Sequence, residues 1–251
     1  MKLFKNELIF IPLGGSGEIG MNCNLYHYQG SWIMVDLGVM FGNSSMSPNE
    51  LIIPNINFIL ENKIKLDALI LTHAHEDHIG GVPYLYDKLS SVPVYTTSFT
   101  ASVLKRKFMS NGLEPIKINL LNYNKNISIG NFEIEILALT HSIPEPNAII
   151  IKTQKGNIFH TGDWKIDPDP LVGKPINENK LKSIKEEGIS VMVCDSTNVF
   201  DENPSGSESE VRQVFRKIFS KHKKGKIVVT CFASNIARLE TILKVAQEFN
   251  K

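Results

Sequence analysis

Apolar and polar positions alternate along the first half of the chain in short runs broken by glycine turns. "ELIFIPLGG", "NLYHY" and "SWIMVDLG" read as three strands. "LDALILTH" is mostly apolar, which predicts a strand buried on both faces, and "VPVYTT" predicts another. "SFTASVLKRKFMSNG" reads as a helix with Ser98 at its N-cap and Gly112 at its stop. "NISIGNFEIEILALTH" predicts a hairpin with Phe132, Ile134 and Ile136 on one face, and "AIIIKTQKGNIFHTGD" a second turning at Lys155–Gly156. "ISVMVCDST" reads as one more buried strand.

Beyond Asp195 the texture changes. A polar stretch, "NVFDENPSGSESE", leads to Ser207 and Glu210, spaced as a capping box. Val211, Val214, Phe215, Ile218 and Phe219 then recur at helical spacing. The strand-like "KIVVTCF" follows, then a helix from about Ser234 with Leu239, Ile242, Leu243, Ala246 and Phe249 on one face. This is βαβα alternation, which normally continues with a strand, so the sequence looks cut off inside a second domain.

The densest chemistry lies in "LTHAHEDHIGG". Three of the seven histidines, His73, His75 and His78, fall there with Glu76 and Asp77 between them. A strand ending in a loop delivers such side chains at a sheet edge. Alternate residues of an extended turn point the same way, so His73 and His75 can share one metal ion, while Asp77 and His78 can serve a second. Imidazole and carboxylate suit zinc, and less strictly manganese or iron. A histidine-rich surface loop is the bland alternative, but it does not explain why the cluster directly follows an apolar strand. His141 and Asp163 also end apolar runs, which makes them further candidates. His160 lies inside its strand pattern and reads as a packed core histidine, and His27 and His222 have no companions.

Composition narrows the picture. The chain has 251 residues, a hydrophobic content of 42% and a net charge of +1, so nothing global points to nucleic acid. The basic runs "LKRKF" and "KHKKGK" read as a solvated helix face or helix end. Three scattered cysteines fit a reduced, cytoplasmic protein. No apolar stretch is long enough for a signal-peptide core or a membrane span.

"THAHEDHIGG" resembles the signature of the metallo-β-lactamase superfamily. "LGGSGEIGMN", "THSIP", "HTGDWKID", "DSTN" and "FASNIAR", in that order, resemble the ribonuclease J family of β-CASP nucleases. The resemblance implies an α/β fold: a metallo-β-lactamase αββα sandwich over residues 1–205, followed by the beginning of a β-CASP α/β domain over 206–251. It implies two zinc ions, with Mn2+ as the alternative. His73, His75 and His141 would hold the first, Asp77 and His78 the second, and Asp163 both. Asp36 would support the ligands from behind, and Asp195 would be an acidic group close to the metals. Asp77, Asp163 and Asp195 are thus the candidate catalytic residues. Phe232, Ala233, Ser234 and Asn235 match a substrate-groove loop, although Ser234 equally fits a helix N-cap and Asp195 a turn cap. The implied function is cytoplasmic RNA hydrolysis, from the 5′ end and internally, by a homo-oligomeric enzyme. Family members are about twice this long, and their downstream histidine motifs have no counterpart here. A thioester or lactone hydrolase of the same superfamily, and a non-catalytic RNA-binding fragment, are the rival readings.

Overall fold

The computed structural model describes residues 6–42, 50–90, 92–222 and 224–251. Lys223 of the second basic run lies outside them. The first three apolar runs form an antiparallel meander of β1 (Ile9–Gly14), β2 (Cys23–Tyr28) and β3 (Ser31–Val35). A small ribbon, β4 (Met40–Phe41) with β5 (Leu51–Ile52), and the short helix α1 (Asn57–Glu61) come next. Then β6 (Ala68–Ile70), β7 (Val94–Thr96) and β8 (Ile118–Leu120) add in parallel. The sheet order is β1-β2-β3-β6-β7-β8. The helices α2 (Glu76–Ile79), α3 (Val82–Leu85) and α4 (Ser98–Ser110) lie between β6 and β8 in the chain.

Both predicted hairpins form, the second turning at Gln154–Lys155, one residue before the expected Lys155–Gly156, because Gly156 already pairs with Thr153. They give β9 (Ile127–Ile129), β10 (Phe132–Ala138), β11 (Asn147–Thr153) and β12 (Gly156–His160), all antiparallel neighbours. Strand β13 (Val191–Val193) pairs in parallel with β12 and ends this second sheet. The expectation of a buried strand here is corrected: β13 is an edge, with Val191 44% and Met192 49% exposed. An apolar run states what a strand can bury, and an edge has fewer neighbours to bury it.

The period of two in side-chain direction builds four layers. Tyr26, Ile33, Val35 and Ile70 of the first sheet pack against Ile134, Ile136, Ile149 and Ile151 of the second. The opposite positions Leu25, Met34, Leu69 and Leu71 pack under helix residues Ile79, Val82, Leu104 and Phe108. Leu137, Leu139, Ile150 and Phe159 of the second sheet lie under Ile184 and Leu181 of α5 (Glu178–Glu187). This is the αββα sandwich.

The last two helices are α6 (Glu208–Lys221) and α7 (Ile236–Glu248). The capping box forms as read, with Ser207 at the N-cap and the Glu210 carboxylate accepting from Ser207 N–H at 3.1 Å. Two expectations fail. "KIVVTCF" forms no strand and Val228 is 83% exposed, because among the described residues nothing pairs with it. The buried face of α7 is Ala237, Thr241 and Val245, and Leu243 points outward. Ser98 is likewise not a cap: Thr97 occupies the N-cap, and the Glu145 carboxylate takes the free Phe99 N–H at 2.8 Å. Among the described residues no helix is long and apolar enough to cross a membrane.

Candidate metal centre

Four chain segments meet at one edge of the sandwich. The loop after β6 brings His73 and His75, and α2 brings Asp77 and His78. The loop after β10 brings His141, and the loop after β12 brings Asp163. Two glycines make this crossing compact. A Cβ on Gly38 would stand 1.7 Å from the Asp77 carbonyl oxygen, and one on Gly81 would stand 2.7 Å from the Gly38 carbonyl oxygen.

Nε2 of His73 lies 3.0 Å from Nδ1 of His75, and Nε2 of His141 lies 3.2 Å from that same Nδ1. Oδ2 of Asp163 stands 3.9 Å from His73 Nε2 and 3.7 Å from His141 Nε2. A ring nitrogen offers one in-plane hydrogen-bonding position, so His75 Nδ1 cannot serve two neighbours. A shared cation can. Zinc bonds of about 2.0–2.1 Å place tetrahedral ligand atoms roughly 3.3 Å apart, and the four atoms bracket that spacing. These residues therefore fit a zinc ion.

The second group is built from the other Asp163 oxygen. Oδ1 lies 3.1 Å from His78 Nε2, which is 3.5 Å from Asp77 Oδ2. Asp77, His78 and Asp163 place three candidate donor atoms within 4.8 Å of one another, as do His73, His75, His141 and Asp163 in the first group. One carboxylate thus faces both groups.

Electrostatics divide the histidines. Burial, followed by the neighbouring histidines, holds His73 well below the ordinary imidazole range, and burial then His75 pushes His141 down to about 4. Both are neutral near pH 7, the state that binds metal. His78 goes the other way: burial would lower it, but Asp36 and Asp163 outweigh burial and raise it well above the usual value. Burial would raise Asp163, but the charge on His78 dominates and brings it down to about 2.

Asp36 is fully buried and adopts a left-handed backbone, φ 61°, a conformation that aspartate tolerates better than most residues. Its carboxylate accepts from Thr72 N–H at 2.8 Å, the Thr72 hydroxyl at 2.9 Å and His78 Nδ1 at 2.6 Å. The Thr72 oxygen is also 3.0 Å from His73 Nδ1. Asp36 therefore backs one histidine of each group, His73 through Thr72. His160 is the core histidine the sequence suggests: it is buried, with Nδ1 2.7 Å from the Tyr26 hydroxyl.

Other candidates are placed less centrally. Asp195 lines a cavity of about 620 Å³ together with Asp77, His78 and Asp163 but belongs to neither donor group. Its Oδ1 accepts from Thr197 N–H at 2.9 Å, the turn-cap arrangement. Phe232 is 84% exposed and Ala233 is also exposed. Asn235, not Ser234, caps α7, accepting from Arg238 N–H at 2.9 Å. Ser234 contributes its carbonyl oxygen, 3.3 Å from His75 Nε2.

Sequence reading missed Asn22 and Asn147. Asn22 Nδ2 lies 3.2 Å from both the Asp77 carbonyl and His78 Nε2. Asn147 Nδ2 donates to the carbonyls of Thr72, at 3.0 Å, and Glu145, at 2.7 Å, tying the His73 loop to the His141 loop. Both asparagines close quoted or adjoining motifs, "GMN" and "HSIPEPN", which was the available signal.

A family model described as the β-lactamase superfamily domain matches residues 32–182, more than half of the chain. The chain belongs to the β-lactamase superfamily. Within that superfamily it is similar to ribonuclease J of Sinorhizobium meliloti, 43% identical over 247 residues, covering 96% of this chain and 43% of that protein. It is also similar to ribonuclease J of Thermus thermophilus, 34% identical over 254 residues, covering 98% of this chain and 44% of that protein. The chain thus spans less than half the length of these relatives. A crystal structure of a protein of unknown function from Enterococcus faecalis V583 shares the fold with TM-score 0.65 at 18% identity, covering 96% of this chain and 63% of that one.

Proposed function

We propose that the chain carries the metal-binding half of a zinc-dependent ribonuclease that hydrolyses RNA phosphodiesters in the cytoplasm, from the 5′ end and internally. The observation that carries this reading is the two-sided placement of Asp163, whose oxygens face separate donor groups. The similarity to two proteins named ribonuclease J supports RNA as the substrate. Residues 1–205 would form the metallo-β-lactamase domain and residues 206–251 the beginning of a β-CASP domain. The packing of α6 on α7, by way of Arg212 and Glu240, supports the second unit.

His73, His75, His141 and Asp163 would hold one zinc, and Asp77, His78 and Asp163 the other. Zinc, when bound, supplies a Lewis acid for the phosphoryl oxygen and a water acidic enough to be a nucleophile near pH 7. The chain's own groups do the rest. Asp36, through Thr72 and directly, fixes the rings of His73 and His78. Asp77 would bind its zinc or accept a hydrogen bond from the nucleophile, while Asp163 would position the nucleophile between the two donor groups. Asp195 shares the cavity and is the group proposed to manage the proton of the departing 3′ oxygen.

The test uses the zinc-loaded full-length parent protein and end-labelled RNA carrying a 5′-monophosphate or 5′-triphosphate. Cleavage that prefers the monophosphate is expected. Indifference to both RNAs, with rapid hydrolysis of a thioester or lactone, would move the protein to the small-molecule class.

A further inference from the structure

The metal-centre reading gives α6 and α7 no part in the site, yet both are tied to it. His75 turns Nδ1 toward the donor group, which leaves Nε2 facing outward. That atom meets the Ser234 carbonyl oxygen at 3.3 Å and the Ser142 hydroxyl at 3.5 Å. Ser234 lies in the turn that enters α7. Ala237 N–H donates to the Ser142 carbonyl at 3.0 Å, so the turn sits on the loop that carries His141.

One ion pair holds that turn in place. Arg238 grips Glu208 with two bonds, Nε to Oε1 at 2.7 Å and Nη2 to Oε2 at 3.1 Å. Glu208 is 7% exposed and opens α6. Its N–H donates to Asp167 Oδ2 at 3.3 Å, and the Ser207 hydroxyl donates to the Asp169 carbonyl at 2.9 Å. Asp167, 3% exposed, donates its own N–H to the Thr140 hydroxyl at 3.3 Å, beside His141. Bonds therefore run in a ring from the His141 loop through Asp167, Glu208 and Arg238 to Ser234 and His75. A buried carboxylate stripped of its partner is costly, and only a guanidinium supplies the planar two-point grip.

We propose that Arg238 is a positioning residue for the metal centre: by clamping Glu208 it holds the Ser234 carbonyl against the outward nitrogen of His75 and so fixes the ring's orientation and tautomer. The inference rests on the metal-centre reading above. A metal-bound histidine characteristically donates its second N–H to such an oxygen, and losing that partner costs about 10–100-fold in metal affinity.

The chain supplies its own control. Arg216 makes an equally short two-point pair with Glu248, 2.7 Å for each bond, between the same two helices but in the open. Cobalt(II) is the probe: its visible spectrum reports ligand geometry, and chelator competition reports affinity. R238Q should weaken the first cobalt ion about 10-fold or more and shift the spectrum, with R238K between it and the unsubstituted chain. R216Q should change neither quantity. An R238Q protein that is folded by circular dichroism and keeps its affinity and spectrum overturns the proposal, as does R216Q weakening cobalt equally. Should R238Q not fold, R238K decides, and unchanged affinity and spectrum there overturn the proposal. An unsubstituted chain that binds no cobalt removes the metal-centre reading itself and this inference with it.

Discussion

One oxygen of Asp36, Oδ2, lies 2.6 Å from His78 Nδ1 and 2.9 Å from the Thr72 hydroxyl. Both neighbours can donate, so the oxygen must accept twice. That demand fixes the proton of His78 on Nδ1 and leaves Nε2 directed at Asp77 and Asp163. It also orients the Thr72 oxygen to accept from His73 Nδ1, leaving His73 Nε2 toward the first donor group. A single buried carboxylate, with no place in either group, therefore selects which nitrogen of two histidines faces the donor groups.

Asp36→Asn keeps the size and replaces one acceptor by a donor. An amide nitrogen facing two donors cannot satisfy them, and the His78 proton is driven toward Nε2. Affinity for the second metal ion should fall about 10–100-fold. Stability without metal should fall by about 1.5–3 kcal/mol, the worth of a hydrogen bond to a charged group. Chelator competition and urea unfolding measure the two. Unchanged metal affinity would mean that the Asp36 hydrogen bonds do not set the tautomer.

The two donor groups differ in number and in protonation. The first offers four residues, three of them histidines, with His73 and His141 held neutral near pH 7. The second offers three residues, shares Asp163, and includes a His78 that holds a proton in the metal-free state. Zinc sites ordinarily need three or more protein ligands of their own. One zinc should survive dialysis and a second should be lost. Metal analysis showing two equally retained ions would contradict the ranking. Zinc at 100 times its dissociation constant should raise stability by about 2.7 kcal/mol through mass action.

The sequence made the cluster legible because its ligands sit at the ends of apolar runs, where periodicity stops. Alternation through Phe132, Ile134 and Ile136 likewise exposed the inward face of β10. What stayed hidden depended on partners. Among the described residues, the apolar "KIVVTCF" has strand composition and no neighbour to pair with, and "VMV" of β13 has one neighbour instead of two. Helix α5 was not anticipated, because "ENKLKSIKEE" offers only Leu181 and Ile184 as apolar positions. The role of Ser234 was hidden for another reason: its contact runs through a carbonyl oxygen, which every residue possesses.

Gly38 gives a steric prediction. Its added Cβ would overlap the Asp77 carbonyl at 1.7 Å and the Asp77 carbonyl carbon at 2.0 Å, both backbone atoms. Neither can rotate away, because Gly38 N–H bonds Asn22 O at 2.9 Å and Asn22 N–H bonds Asp77 O at 2.8 Å. Gly38→Ala should cost about 3 kcal/mol, the upper end of ordinary overpacking, and should lower second-ion affinity because Asp77 must move. Gly17→Ala, the comparison, meets nothing within 4 Å of its added Cβ; its left-handed backbone, φ 78°, should cost about 1 kcal/mol, but the metal affinity should stay intact. Equal effects of the two substitutions in urea unfolding and zinc titration would sink the argument.

The last prediction concerns acid stability and a residue far from the metals. Glu135 belongs to β10, on the face that α5 covers, and is 4% exposed. Lys152 reaches it at 2.9 Å and Lys180 of α5 also pairs with it. Burial alone would raise its pKa, but the hydrogen bonds from Lys180 and Lys152 outweigh burial and lower it below the ordinary glutamate value. A depressed folded-state pKa means the ionised form stabilises the fold. That contribution is complete above about pH 5 and declines as pH falls through the unfolded value near 4.3 and on through the lower folded value. Glu135→Gln should therefore cost about 1.5–3 kcal/mol at pH 7. The gap from the unsubstituted chain should close progressively below about pH 4. Because Lys180 is the link to α5, amide exchange should accelerate first in Glu178–Glu187. Urea unfolding from pH 7 to pH 3 measures the gap, and a difference that does not change with pH would show that Glu135 acts through packing and not through its charge.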